Sequence, residues 1–176
     1  MTPAEMTATA LRIARSYTYV REATPNRGEA VDEFIRGIGL DPAGRFPWCM
    51  AYVYHVVRQA VATNPLPKTG SVQAAVEWAK GAGVLRPEPA PGTLAVFWHP
   101  ELKRFGHIGF VIAPVLARRK NVIGPQTGAP TGKWATVEGN TSDPSRPPTR
   151  EGWGCFERER TFTPSTQFIY WQEKAL

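Results

Sequence analysis

The sequence predicts an α+β fold with N-terminal helices packed on one side of an antiparallel β-sheet. Up to about Gly83 the apolar residues recur at helical spacing. Beyond the proline-rich connector Arg86-Pro87-Glu88-Pro89-Ala90-Pro91-Gly92 they form short runs of β-formers divided by glycine and proline. A chain of 176 residues is long enough to bury one core without disulfides or metals, so residues 1–176 are read as one domain.

Residues 3–21 carry Met6, Ala10, Leu11, Ile13, Ala14 and Tyr17 at helix-like intervals, an amphipathic first helix. Glu22 to Gly28 is a turn. Glu29 to Gly37 reads as a short helix with Val31, Phe34 and Ile35 inward, stopped by Gly37 and Gly39. Asp41-Pro42-Ala43-Gly44 turns the chain into a third helix. That helix is expected to start at Pro47, because proline suits the first helical position, and to be closed by Asn64-Pro65-Leu66-Pro67. Ser71 is expected to cap a fourth helix with Val72, Ala75, Val76 and Ala79 on one side. Strands are expected near 93–98, 107–112, 121–123, 134–138, 154–160 and 167–171. Thr141 to Arg150 reads as a polar loop, because strand-like sequence resumes after it.

The composition, 42% hydrophobic and 20% charged, is that of an ordinary globular protein. No apolar run approaches membrane-spanning length, and Met1 to Met6 lacks the basic start and apolar core of an export signal. Synthesis in the cytoplasm without a signal peptide, and no membrane insertion, are therefore expected. The net charge of +6 favours an anionic partner, either nucleic acid or an acidic wall polymer. Only Arg118-Arg119-Lys120 is a contiguous basic run, with no exposed aromatics interleaved, so nucleic acid is not expected. Cys49 and Cys155 form neither a disulfide framework nor a zinc spacing, and no cofactor is expected.

Cys49 falls in the first turn of the third helix, where free N–H groups and the helix dipole favour a thiolate, the reactive form of cysteine. The plainer alternative is a small apolar side chain at the start of a core helix. Of the three histidines, His55 follows Cys49 on the same helix and points well round the other side. His99 precedes Pro100 at a strand end, the place of a surface histidine. His107, in Gly106-His107-Ile108-Gly109-Phe110-Val111-Ile112, alternates with Ile108, Phe110 and Ile112, and the flanking glycines clear space around it. A third group is needed to orient the imidazole. Thr136, Glu138 and Asn140 share one side of their strand, and either Glu138 or Asn140 can meet His107; Glu138 ranks first because it stabilises positive charge.

Asn26-Arg27-Gly28 with Val31-Asp32, Pro47-Trp48-Cys49 with Ala51-Tyr52-Val53, Gly106 to Val111, and Val137-Glu138-Gly139-Asn140 follow one another in an order that resembles the CHAP family of cysteine amidohydrolases and peptidases. These belong with the NlpC/P60-like, papain-related enzymes that cut peptidoglycan. The similarity runs from about Asn26 to Arg160. It implies Cys49 as nucleophile, His107 as general base, Glu138 as third member and Asn140 as a fourth polar residue, in a papain-like fold. It further implies acyl transfer through a thioester, with the Cys49 N–H as an oxyanion donor.

Some relatives carry aspartates that bind calcium before the nucleophile; Leu40 to Phe46 holds one acid, so no calcium site is expected. Thr93 stands where relatives often have aspartate, and a changed turn is expected there. Arg27 and Asp32 are expected to tie the loop before the nucleophile helix to the second helix. Trp48, Trp98, Trp134 and Trp153 can line the cleft, although buried tryptophans more often belong to a core. Cys155 reads as a buried inert thiol.

The function so implied is a peptidoglycan hydrolase, an N-acetylmuramoyl-L-alanine amidase or an endopeptidase acting on the peptide stem. A monomer without a signal and without room for a wall-binding module suits a phage endolysin released by a holin, or an antibacterial effector exported by a secretion machine and countered by an immunity protein. The rival readings are a non-catalytic wall-binding or phage structural module, and a cytoplasmic cysteine amidase acting on a small amide.

Overall fold

Thr2 opens the first helix with a reciprocal cap, its hydroxyl accepting the Glu5 N–H while the Glu5 carboxylate accepts the Thr2 N–H. The structure is a computed structural model that describes residues 1–117, 129–145 and 152–175. Helix α1, Pro3–Ser16, buries Met6, Ala10, Ile13 and Ala14. It ends short of the expected Arg21 because Tyr17 turns inward, edge-on to Phe34 and Tyr52, with its hydroxyl 2.8 Å from His55 Nε2.

Helix α2, Glu29–Gly37, has the expected limits and inner face, Val31, Phe34 and Ile35. Helix α3 is Cys49–Ala60. Pro47 therefore lies outside it, and Trp48 is the N-cap. Its other end also comes earlier than Asn64, because Val61 is already extended. The Asn64 side chain instead folds the following loop, donating to the Tyr54 carbonyl and accepting from Leu66 N–H. Helix α4, Val72–Gly81, is capped by Ser71, whose hydroxyl accepts the Ala74 N–H at 3.2 Å.

The strands are β1 Leu85–Arg86, β2 Leu94–His99, β3 Arg104–Leu116, β4 Pro130–Thr141, β5 Gly154–Thr161 and β6 Gln167–Ile169. They form one antiparallel sheet in the order β1-β6-β2-β3-β4-β5. Strand β1 falls partly in the expected connector, and exists because Leu85 and Arg86 pair with Ile169 and Phe168. Strands β3 and β4 outrun their expected limits by pairing as far as Leu116 with Pro130. Trp171 belongs to a 3-10 turn after β6 rather than to the strand. Thr93 closes the turn before β2, its hydroxyl donating to the Ala90 carbonyl at 2.7 Å. The expected strand at 121–123, the basic trio 118–120 and residues 146–150 of the polar loop lie outside the described residues.

The helices cover one face of the sheet. Leu94, Val96, Ile108, Phe110, Val137 and Ile169 join residues of all four helices in the main core. Ala95, Val111 and Phe168, with Phe97, Trp134 and Phe162, make a smaller cluster on the opposite face. The alternation of Ile108 and Phe110 with Val111 is the one expected for a strand whose two faces are buried differently. Where α3 meets β4 the backbones come close: a Cβ at Gly139 would lie 2.7 Å from the Tyr52 ring and 2.9 Å from the Trp48 ring. This close approach brings the head of α3 against the end of β4.

Candidate active site

Cys49 is the first residue of α3, and among the described residues no side chain caps that helix, so its leading N–H groups remain open to a ligand. The residue before it is held from three directions. The Trp48 indole is fully buried beside Phe34, and its Nε1–H donates to Glu22 Oε1 at 2.7 Å. With its amide oriented to satisfy both neighbours, Asn140 accepts the Trp48 backbone N–H at 3.1 Å and donates to the Gly152 carbonyl at 2.9 Å. Asn140 itself is left-handed, with φ 53°, at a register shift in the β4–β5 pairing. A conformation of this kind is tolerated best by asparagine and glycine.

His107, on β3, presents Nε2 to Glu138 Oε2 at 2.8 Å. That leaves Nδ1 as the nitrogen free for the Cys49 thiol. Glu138, on β4, is fully buried, and its two oxygens take four hydrogen bonds from the described residues. Besides His107, it accepts from the Thr136 hydroxyl at 2.6 Å and from Arg160 Nε and Nη2 at 2.8 and 2.5 Å. A buried carboxylate this well partnered stays charged: burial alone would raise its pKa, but Arg160 and His107 hold it well below the usual carboxylate range. Burial likewise opposes charge on His107, but Cys49 on one side and Glu138 on the other outweigh it and raise the imidazole to about 9. The site is therefore built to hold an imidazolium between a sulfur and a carboxylate. The Phe97 ring stacks on His107 at 5.7 Å, and the Arg160 guanidinium lies over the same ring.

Cys49, His107 and Glu138 thus come together, and Asn140 meets the backbone of Trp48 instead of the imidazole. Arg160 and the Thr136 hydroxyl are partners of Glu138 that sequence reasoning did not assign. For Thr136 the signal was the alternation that selected Glu138 two residues on, whereas Arg160 reaches the carboxylate through the register of β5 on β4, in which it pairs with Trp134. Gly106 and Gly109 do clear space, but for neighbours of the imidazole. A Cβ at Gly109 would meet Glu138 Cγ at 2.5 Å, and one at Gly106 would meet the His99 ring at 2.7 Å. His99 is exposed. His55 points away from the site, buried against Tyr17 and Phe34, and its burial lowers its pKa. Arg27 makes a bidentate pair with Asp32, 2.8 and 2.9 Å, which ties the turn before α2 to that helix. Cys155 is fully buried in β5, and burial pushes its thiol far above the ordinary value.

Residues 41–123 match the family model of the CHAP domain. Over those residues the chain is CHAP-like. The match includes Cys49 and His107 and stops before Glu138. No curated protein and no solved structure matches the chain. A CHAP domain is papain-like, of the NlpC/P60 type, in keeping with four helices against a six-stranded antiparallel sheet among the described residues, and it implies hydrolase activity on peptidoglycan.

The cleft has two arms that meet at Cys49. One, of about 430 Å³, is walled by Ile38, Leu40, Phe46 and Phe105 with Lys68 and Arg104. The other, of about 350 Å³, holds His107 with Asn26, His99, Glu101 and Asn140. Pro47, Cys49, Arg104 and Gly106 belong to both. The sulfur can therefore be reached although Cys49 as a whole is only 3% exposed. Of the four tryptophans considered as cleft residues, Trp48 backs the nucleophile from the core and Trp98 is exposed in a separate depression beyond Phe105.

Proposed function

We propose that this CHAP domain cuts an amide bond of the peptidoglycan peptide by cysteine chemistry, with Cys49 as nucleophile, His107 as general base and acid, and Glu138 as the group that orients and charges the imidazole. The observation that carries the reading is the His107–Glu138 contact of 2.8 Å in a site whose imidazole is raised to about 9 by Glu138 and Cys49. Asn140 is a positioning residue that fixes the head of α3. Arg160 keeps Glu138 ionised.

In the first half-reaction the Cys49 sulfur attacks the amide carbon, and the oxyanion is received by the Cys49 N–H at the helix start. His107 then gives its proton to the leaving nitrogen as the C–N bond breaks, which leaves a thioester. In the second, His107 takes a proton from water, the hydroxide oxygen attacks the thioester carbon, and the sulfur leaves as the carboxylic acid is released. No step needs a metal or cofactor.

The enzyme acts as an N-acetylmuramoyl-L-alanine amidase or as an endopeptidase. It reaches the wall as a phage endolysin with a holin, or as an exported antibacterial effector with an immunity protein. Digestion of purified sacculi by the wild type and by Cys49→Ala, followed by mass spectrometry, tests this. Stems freed from glycan identify an amidase, and shortened stems identify an endopeptidase. No release by the wild type from several wall types would overturn the proposal in favour of a binding module.

A further inference from the structure

We propose that the groove between α4 and the end of β2 is a saccharide-binding subsite, in which the apolar face of an uncharged sugar ring stacks on Trp98. The binding stands apart from the cysteine chemistry; its use, to hold the wall glycan beside the cleft, rests on the peptidoglycan reading above.

Trp98 is the last apolar residue of β2, and strand alternation puts it on the helix side of the sheet with Leu94 and Val96. The register shift between β2 and β3 sets it opposite Phe105 instead of Gly106. The two rings pack edge to face with centroids 5.3 Å apart, which fixes the indole without enclosing it. Trp98 is 39% exposed, and among the described residues its indole N–H has no hydrogen-bond partner. The ring walls a groove of about 750 Å³, larger than either arm of the cleft and within the size range of small-ligand sites.

The lining is amphipathic and balanced in charge. Val76, Leu85 and Phe105 continue the apolar floor, and among the described residues the charged side chains of the groove are Glu77 and Lys80, one of each sign. Gln73 is held at both ends, accepting the Phe105 N–H at 3.0 Å and donating to Glu77 Oε1 at 3.1 Å. Glu77 is thereby steadied with its second oxygen facing no partner among the described residues. Gln167 pairs with Val96 through its backbone, and its side-chain amide is equally unengaged among the described residues. Strands β2 and β6 are interior strands, so a guest is read by these side chains and not by an open strand edge. A flat guest with an apolar face and an uncharged rim of donors and acceptors fits such a lining. A pyranose ring has this form, with C–H bonds on its face and hydroxyls around its edge. A polyanion does not fit, because the one cation it would meet is matched by a carboxylate. Phe105 lines both this groove and the cleft arm at Cys49, so a glycan held on Trp98 borders the cleft.

The test is calorimetric titration of the Cys49→Ala protein with chitohexaose, a neutral chain of β-linked N-acetylglucosamine, and with poly(glycerol phosphate) as the anionic comparison. Chitohexaose is expected to bind with a Kd at or below about 1 mM that holds as salt is raised, because the ligand carries no charge. Adding Trp98→Ala should weaken binding at least about 10-fold, and Trp98→Tyr should restore it to within about threefold. Tyr19→Ala, at another exposed aromatic, should leave it unchanged. With Cys49 intact, Trp98→Ala should slow release from sacculi while iodoacetamide alkylates Cys49 at the wild-type rate. No binding of chitohexaose at about 10 mM, or binding that survives Trp98→Ala, would overturn the inference. Tighter, salt-sensitive binding of poly(glycerol phosphate) that depends on Trp98 would overturn it in favour of a charged polymer. Unchanged release from sacculi by Trp98→Ala would overturn the role in holding glycan. Trp98-dependent binding of chitohexaose, with no release from sacculi by the wild type, would uphold the subsite and overturn the hydrolase reading instead.

Discussion

Arg160 closes on Glu138 with two hydrogen bonds, from Nε at 2.8 Å and from Nη2 at 2.5 Å, and one of the oxygens it grips is the oxygen that meets His107. The carboxylate is inaccessible to water, so its charge depends on these partners. Arg160→Leu would leave it, among the described residues, with His107 and Thr136 as partners. Removing one partner of a buried ion pair costs about 3–5 kcal/mol. We expect a loss of that order in urea unfolding, with kcat/KM lower as well. An unchanged unfolding midpoint would show that the guanidinium is dispensable.

The pH dependence of stability follows from two shifts of opposite sign. The His107 pKa is raised from 6.5 to about 9, so its contribution is complete below about 6.5 and is lost as pH rises through about 9. Glu138 is depressed from 4.5, so its contribution is present above about 4.5 and is lost as pH falls below that value. From these two groups stability is greatest between about pH 4.5 and 6.5. In Glu138→Gln the acid loss should shrink and the alkaline loss should move to lower pH. In the wild type, the alkaline limb of kcat/KM is expected near pH 9, and in Glu138→Gln it should fall toward 6.5. Identical profiles for the two proteins would mean that the carboxylate does not charge the imidazole.

Gly109 is the place where Glu138 crosses the neighbouring strand. A Cβ there would stand 2.5 Å from Glu138 Cγ and 3.1 Å from the Val137 carbonyl oxygen. Gly109→Ala should push the carboxylate off His107. We expect kcat/KM to fall about 100-fold, the scale associated with misplacing a catalytic group by about 1 Å. A fully active Gly109→Ala would contradict the observed packing.

Asn140 holds the chain one residue ahead of the nucleophile. Asn140→Ala removes the acceptor for the Trp48 N–H, and losing a buried backbone partner costs about 1–3 kcal/mol. We expect kcat to fall while the alkaline limb near pH 9 stays in place, because the imidazole keeps its own partners. A shifted limb would show that Asn140 acts on His107 directly.

Much of this site was legible in the sequence because it rests on local patterns. Helical spacing located the turn that carries Cys49, and alternation through Ile108 and Phe110 gave the orientation of His107. Alternation also brought Glu138 to the imidazole, but it failed one step further on. The register shift and the left-handed backbone at Asn140 turn that side chain to Trp48 and Gly152. Arg160 was missed because its role depends on the register of β4 with β5, a long-range fact with no local signature. The start of α3 was misread at Pro47 because a fold-wide demand, burying Trp48 under Gly139 and Phe34, overrode the local preference for proline at the first helical position.

The most direct measurement is the rate at which iodoacetamide alkylates each cysteine near neutral pH, followed by mass spectrometry. Cys49 should react well before Cys155, whose buried thiol is held far above its ordinary pKa. His107→Ala should abolish that lead, whereas His99→Ala should keep it. Equal, slow labelling of both cysteines in the wild type, or a lead that survives His107→Ala, would contradict the pairing of Cys49 with His107.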